Sequence, residues 1–137
     1  ASSRQGSQET YPGPLLILRL SKTERILKPA EFRKVYADGR RFDGRFMTVF
    51  IKPTDLDRHR VGVTASKKMS TKAHDRNRAK RLLRESFRLN KPHFLKLNSR
   101  YDWVLNARKA ITEVKIDQPL DELRKIISEV EKQIGGR

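Results

Sequence analysis

Apolar residues recur at helical spacing in three segments of the chain. The segments cover residues 29–39, 76–90 and 119–134, and in each one apolar positions return every three or four residues, which places them on one face of a helix. Proline stands in the first turn of the first and third segments, and glycine follows their last periodic positions, as is typical of helix starts and ends. The pattern therefore predicts three amphipathic helices.

Three further segments have the composition and spacing of β-strands. Residues 45–52 are aromatic and β-branched, residues 60–66 alternate apolar with small or polar positions, and residues 101–107 form a third run. Because only a short polar turn, residues 54–59, separates the first two runs, they are predicted to pair as a hairpin. Residues 40–42 are a further candidate for a short strand.

The order helix, strands, helix, strand, helix predicts an α+β fold. We expect a small two-layer α/β sandwich, with the helices stacked on a mostly single sheet. Residues 1–14 are small, polar and interrupted by proline and glycine, so they are predicted to form a disordered tail. Residues 15–137 are predicted to form a single domain.

The positive charge of the chain is concentrated in its middle. The 137 residues carry 32 Lys and Arg against 16 Asp and Glu, a formal net charge of +16. Residues 15–100 hold 24 of the basic and 8 of the acidic residues, whereas the segments 1–14 and 101–137 are each neutral. Such focusing is typical of a protein that binds a phosphate backbone. The predicted partner is therefore a nucleic acid.

Composition also excludes several classes of protein. The absence of cysteine excludes a disulfide scaffold, a Cys-ligated zinc site and a thiol nucleophile. The longest apolar run, Leu15–Leu18, is too short for a transmembrane helix or a secretory signal. We therefore expect no membrane partner.

The sequence shows no constellation typical of a protein nuclease. His59, His74 and His93 each fall in a predicted turn or connector, without metal-ligand spacing or a catalytic carboxylate neighbour, so we expect surface histidines. The acidic residues are scattered and do not suggest a two-metal cluster. We assign no catalytic residue to the chain, and the sequence leaves open whether the protein itself holds a metal ion.

The predicted helix at residues 76–90 has one apolar and one basic face. The apolar arc, centred near Leu82, Leu83 and Ser86, is expected to dock on the sheet. The rest of the surface carries arginines, lysine and one asparagine, which suit phosphate oxygens, base edges and 2′-hydroxyl groups. Composition alone does not distinguish DNA from RNA. The candidate contacts are Arg76, Asn77, Arg78, Lys80, Arg81, Arg84 and Arg88.

The start of this helix resembles a known signature. Arg76-Asn77-Arg78, followed by Lys80-Arg81 and Arg84, is similar to the RNR motif of the bacterial ribonuclease P protein family. The resemblance extends to residues 25–39, to residues 60–68 with their final Ser-Lys-Lys, and to residues 101–109. Together with the closing helix it covers about residues 20–130.

The resemblance implies both a fold and a function. The family is a small αβ protein in which the basic helix forms a left-handed βαβ crossover. It is the protein cofactor of a ribozyme that removes 5′ leaders from precursor tRNAs, and the RNA subunit performs the hydrolysis with bound Mg²⁺. The implied partners are the catalytic RNA and the precursor leader, in the bacterial cytoplasm, with no membrane and no small-molecule substrate.

The resemblance also implies two RNA-facing surfaces. The basic helix faces the catalytic RNA, and a cleft between the first helix and the sheet receives the single-stranded leader. Aromatic rings suit this cleft because they stack bases without demanding a sequence, whereas Val35 is expected in the core. Arg25 and Lys28 are candidate contacts to leader phosphates. The other expected leader-binding residues are Phe32, Tyr36, Thr64 and Lys68.

The chain departs from the family pattern in two places. The connector at residues 69–75 is longer than usual and ends in Asp75, which is predicted to cap the basic helix. The strand around Val49 lacks the tyrosine that family members often place in the cleft, and Phe46 or Phe50 is expected to replace it.

Two functions remain compatible with the sequence. The first is the protein subunit of a ribonucleoprotein endonuclease, and the second is a non-enzymatic RNA-binding protein such as a ribosomal protein. Two separate RNA-facing surfaces favour the first, because they suit a bridge between a ribozyme and its substrate. A DNA-binding helix is disfavoured because the sequence lacks a turn-helix partner or a dimer seam.

Overall fold

The computed structural model describes residues 22–135, and the side chains of residues 22–133. The predicted tail at residues 1–14 lies outside the described residues. Short helical turns occur at Lys22–Glu24, Lys109–Glu113 and Glu131–Gly135. The α-helices and strands are α1 (Pro29–Asp38), β1 (Arg40–Asp43), β2 (Met47–Pro53), β3 (Arg60–Thr64), α2 (Ala73–Leu89), α3 (Lys91–Phe94), β4 (Tyr101–Ala107) and α4 (Asp117–Val130).

The four strands form one sheet in the order β1-β2-β4-β3. β1 and β2 are an antiparallel hairpin, β2 pairs antiparallel with β4, and β3 pairs parallel with β4. The predicted hairpin between β2 and β3 is therefore wrong. β4 lies between them because its first five residues are buried, and a strand that is apolar on both faces belongs in the covered centre of a sheet.

Helices cover both faces of the sheet. Leu105 of β4 belongs to the main core, together with Leu83 of α2 and Leu123 of α4. Because side chains alternate across a strand, Val104 points to the other face, where it packs in a second cluster with Val35 of α1. The predicted α+β class is confirmed, as is the core position of Val35, and α1 adds a partial third layer to the two that were predicted.

The basic helix α2 begins earlier than predicted. It starts at Ala73 rather than Arg76, so the prediction that Asp75 is its N-cap is wrong. The Asp75 carboxylate lies inside the first turn, where it accepts a hydrogen bond from the Ser70 hydroxyl at 3.1 Å and complements the helix dipole. α2 and the short α3 connect β3 to its parallel neighbour β4. The handedness of this crossover stays a prediction.

Arg60 ties α1 to the sheet. Its Nε and Nη2 donate to the Asp102 carboxylate at 2.9 and 2.8 Å, and its Nη1 donates to Glu31 of α1 at 3.1 Å. The hydrogen bonds to Asp102, and to a smaller extent the one to Glu31, raise the pKa of Arg60 above its usual range. The first turn of α1 is thereby held against β3 and β4.

His59 is buried, so the prediction of a surface histidine is wrong at this position. Its Nδ1 accepts hydrogen bonds from the backbone N–H of Tyr101 at 3.1 Å and from the indole N–H of Trp103 at 3.0 Å. Its Nε2 then donates to the carbonyl oxygen of Phe94 at 3.1 Å. Burial lowers the pKa of His59 from 6.5 to about 4, so the ring is neutral at pH 7. His74, in contrast, is exposed as predicted.

None of the helices between residues 22 and 135 combines the length and the apolar content that a membrane span requires.

Candidate nucleic-acid interface

The exposed side of α2 is cationic. Asn77, Arg81 and Arg84 are all exposed, and their spacing of four and three residues places them on one side of the helix. The opposite side is buried in the main core. We call Asn77, Arg81 and Arg84 the basic ridge. It presents two guanidinium groups and one side-chain amide to solvent.

Two other residues of α2 that are predicted to contact nucleic acid donate hydrogen bonds to backbone carbonyls. Arg78 donates to the carbonyl oxygen of Val114 at 2.7 Å, with longer contacts to the helical turn that precedes Val114. Arg76 donates to the carbonyl oxygen of Ser70 at 3.0 Å. Both guanidinium groups therefore fix the start of α2 against neighbouring loops, and only part of their donors remain for a ligand.

The remaining two residues of α2 that are predicted to contact nucleic acid are half-buried. Arg88 forms an ion pair with Glu85, one turn earlier on the helix, which offsets part of its charge. Lys80 is adjacent in sequence to the ridge residue Arg81 and is partly covered. The structure thus leaves the basic ridge as the most accessible part of the predicted surface.

Three of the predicted leader-binding residues meet in an open cleft between α1 and β3. Phe32 and Tyr36 project from α1, Thr64 ends β3, and Leu27 and Pro29 complete the apolar lining. Leu27 is 62% exposed and Tyr36 is 39% exposed, so aromatic and aliphatic surface faces solvent here. Such a surface suits the flat face of an unpaired base. The structure brings these residues together, and their contact with a leader stays a prediction.

A glycine in β3 sets the depth of the cleft. A Cβ atom at Gly62 would lie 2.6 Å from the ring of Phe32, which is closer than carbon atoms approach without a shift. The ring therefore rests directly on the backbone of β3. Any side chain at position 62 would displace it.

Phe50 continues the aromatic surface onto β2. Its ring meets the ring of Tyr36 edge-on, with centroids 5.0 Å apart, and the guanidinium carbon of Arg41 lies 5.7 Å from its centre. Phe46, the other predicted replacement for the missing tyrosine, is buried in the main core on the opposite face. Phe50 is therefore the residue at the cleft, and Phe46 is not.

None of the three predicted cationic contacts, Arg25, Lys28 and Lys68, belongs to the lining of the cleft itself. Arg25 lines a second groove with Phe32 and with Arg84 of the basic ridge, so the two surfaces that the sequence treats as separate adjoin there. Lys28 immediately precedes α1 and Lys68 follows β3 by four residues, and both are exposed.

Asn106, which the sequence did not single out, is hydrogen-bonded to two lining residues of the cleft. It lies near the end of β4, and its Oδ1 accepts hydrogen bonds from the hydroxyls of Tyr36 at 2.9 Å and Thr64 at 2.6 Å. One signal was visible in the sequence, since Asn106 interrupts the apolar run of β4. A polar side chain in a covered strand needs hydrogen-bond partners.

The fold and these surfaces define a class of protein, namely a small α+β protein that carries an exposed cationic helix beside an open aromatic cleft. Residues 20–131 match the family model described as Ribonuclease P. The chain belongs to the family of ribonuclease P protein components, the protein part of a tRNA-processing ribonucleoprotein.

Individual relatives agree with this assignment. The chain is 44% identical over 86 residues to the ribonuclease P protein component of Clostridium kluyveri, covering 63% of this chain and 75% of that protein. It is 37% identical over 108 residues to that of Clostridioides difficile, covering 77% of this chain and 92% of that protein. The solved RNase P protein of Staphylococcus aureus has a TM-score of 0.67 at 27% identity, covering 84% of this chain and 100% of that one.

Proposed function

We propose that the chain acts as the protein subunit of a bacterial ribonuclease P in the cytoplasm, where it bridges the catalytic RNA and the 5′ leader of precursor tRNA. The observation that carries the proposal is the presence of two chemically different surfaces on one small domain. The basic ridge offers charge and planar donors to a phosphate backbone. The cleft offers rings to unpaired bases.

The basic ridge is assigned to the catalytic RNA. A folded RNA presents dense phosphate, and a guanidinium can bind two phosphate oxygens at once. Arg81 and Arg84 are exposed for this purpose, whereas Arg76 and Arg78 support the ridge by fixing the start of α2. Asn77 adds a neutral amide that suits a base edge or a 2′-hydroxyl.

The cleft is assigned to the leader. Its open shape and exposed rings suit the unpaired bases of a single strand, so recognition rests on stacking. Arg25 and Lys28 stand where they can contact the phosphates of the strand. Because stacking is tolerant of sequence, one cleft can serve many different precursor leaders.

Hydrolysis is assigned to the RNA subunit, with Mg²⁺ as its metal ion. Among residues 22–133, no three His, Asp or Glu side chains come together in a group that could hold a metal. We therefore name no residue of this chain as a ligand of that ion. The role proposed for the protein is to bind and position the two RNA molecules.

Reconstitution tests the proposal. The purified protein, mixed with a bacterial ribonuclease P RNA at low Mg²⁺, is expected to restore cleavage of precursor tRNA at the mature 5′ end, because it supplies leader affinity and offsets backbone charge. The protein alone is expected to cleave nothing. The readout is the size of the 5′ product.

Each alternative has a distinct outcome in the same experiment. Reproducible cleavage by the protein without RNA would refute the cofactor role. Tight binding of the RNA without any gain in cleavage would favour a non-enzymatic RNA-binding protein instead.

A further inference from the structure

The hydroxyl groups of the cleft share one acceptor. Asn106 Oδ1 lies 2.9 Å from the Tyr36 hydroxyl and 2.6 Å from the Thr64 hydroxyl. A separation of 2.6 Å fits an O–H···O bond and is short for N–H···O. The amide is therefore oriented with its oxygen toward the hydroxyls and its nitrogen away from them.

This orientation fixes what the three side chains can offer a ligand. Each hydroxyl donates its single proton to Asn106, so the Tyr36 and Thr64 oxygens can act only as acceptors toward a ligand. Both lone pairs of Asn106 Oδ1 are used, while its Nδ2 carries two N–H donors. Among the described residues, none accepts a hydrogen bond from Nδ2. Tyr36, Thr64 and Asn106 thus hold two acceptors and a donor pair within one small cluster.

We propose that Asn106, Tyr36 and Thr64 form a recognition site for a ribose 2′-hydroxyl of the bound leader. A 2′-hydroxyl both donates and accepts, so it can donate to Tyr36 or Thr64 while accepting from Asn106 Nδ2. A deoxyribose lacks this hydroxyl, so it can neither donate to Tyr36 or Thr64 nor accept from Asn106. The site lies beside the ring of Phe32, where a stacked base would bring its own ribose close. The inference rests on the proposed function, because it specifies how the cleft reads the leader.

Asn106 acts at this site in two ways. It contacts the ligand through Nδ2, and it positions Tyr36, whose ring meets Phe50 edge-on at 5.0 Å. Replacing Asn106 with leucine, which has a similar volume, removes both the donor and the shared acceptor. Replacing Thr64 with valine or Tyr36 with phenylalanine removes one acceptor oxygen and keeps the shape of the cleft.

The experiment is a deoxy scan of the leader. The holoenzyme is reconstituted with the catalytic RNA, and the Kd is measured for precursor tRNAs in which each leader nucleotide in turn is 2′-deoxy. The wild-type protein is expected to lose about three- to tenfold in affinity at one position, the value of one or two neutral hydrogen bonds. Asn106→Leu should abolish this loss, and Thr64→Val and Tyr36→Phe should each reduce it. Asn98→Leu, at an exposed asparagine before the start of β4, should leave it unchanged.

Other outcomes contradict the inference at identifiable points. If the wild-type enzyme binds every deoxy leader as well as the all-RNA leader, there is no 2′-hydroxyl site. If Asn106→Leu weakens ribose and deoxyribose leaders equally, Asn106 contacts a base or a phosphate instead. If the wild-type enzyme gains no affinity from a leader at all, the proposed function itself fails, and the inference fails with it.

Discussion

Replacing both Phe32 and Tyr36 with alanine is expected to raise the Kd of reconstituted ribonuclease P for a leader-bearing precursor about 10- to 100-fold. Base stacking on an aromatic side chain contributes roughly 1–3 kcal/mol per base, and these two rings line the same cleft. The affinity for mature tRNA, which has no leader, should not change. Equilibrium binding of both RNAs to the same enzyme preparation provides the comparison.

The control for this prediction is Phe42→Ala. Phe42 is a half-buried phenylalanine that packs against the main core, on the opposite face of the sheet from the cleft. Its truncation destabilises the domain in the same manner but removes no ring from the cleft. An equal loss of leader affinity in Phe42→Ala would show that the effect of the double variant comes from lost stability rather than lost stacking.

Lowering the pH from 7 to 5 is expected to cost about 2 kcal/mol of the unfolding free energy through His59. The pKa of His59 is about 4 in the folded state against 6.5 ordinarily, chiefly because the ring is buried. Between these values the unfolded chain binds a proton that the folded chain does not. The contribution is therefore complete above pH 6.5 and declines as the pH falls toward 4. Urea unfolding at both pH values measures it.

His59→Gln is the variant that isolates this effect, because glutamine does not titrate. We expect it to be less stable than wild type at pH 7, since the flexible glutamine amide does not hold an acceptor in the place of the ring nitrogen that the Trp103 and Tyr101 N–H groups share. We also expect it to be less sensitive to acid. His74→Gln, at an exposed histidine, should retain the wild-type pH dependence. A His59→Gln variant that weakens just as steeply toward pH 5 would contradict the assignment.

Local elements of the fold were predictable from the sequence, whereas strand pairing was not. α1 ends one residue before Gly39 as predicted, and β4 has the predicted bounds, because capping and periodicity are local signals. The false hairpin arose because β2 and β3 are neighbours in sequence. Only long-range packing places β4 between them, and no local pattern carries that information.

The candidate site likewise combines features that the sequence displays with contacts that it does not. The rings of Phe32 and Tyr36 and the ridge of α2 follow from helical spacing, which the sequence displays directly. The carbonyl contacts of Arg78 and the role of Asn106 depend on segments more than thirty residues away. His59 was misjudged for the same reason, since its partners Phe94 and Trp103 belong to distant elements.

The central claim is that the chain bridges two RNAs through two surfaces, and site-specific crosslinking tests it most directly. The sequence contains no cysteine, so a single introduced cysteine is a unique attachment point for a photo-crosslinker. Suitable exposed positions are Arg33→Cys at the cleft, Asn77→Cys on the basic ridge and, as a control, Glu129→Cys on α4. In the holoenzyme bound to precursor tRNA, position 33 is expected to crosslink to the leader, position 77 to the catalytic RNA, and position 129 to neither. Crosslinks from positions 33 and 77 to the same RNA molecule would contradict this claim.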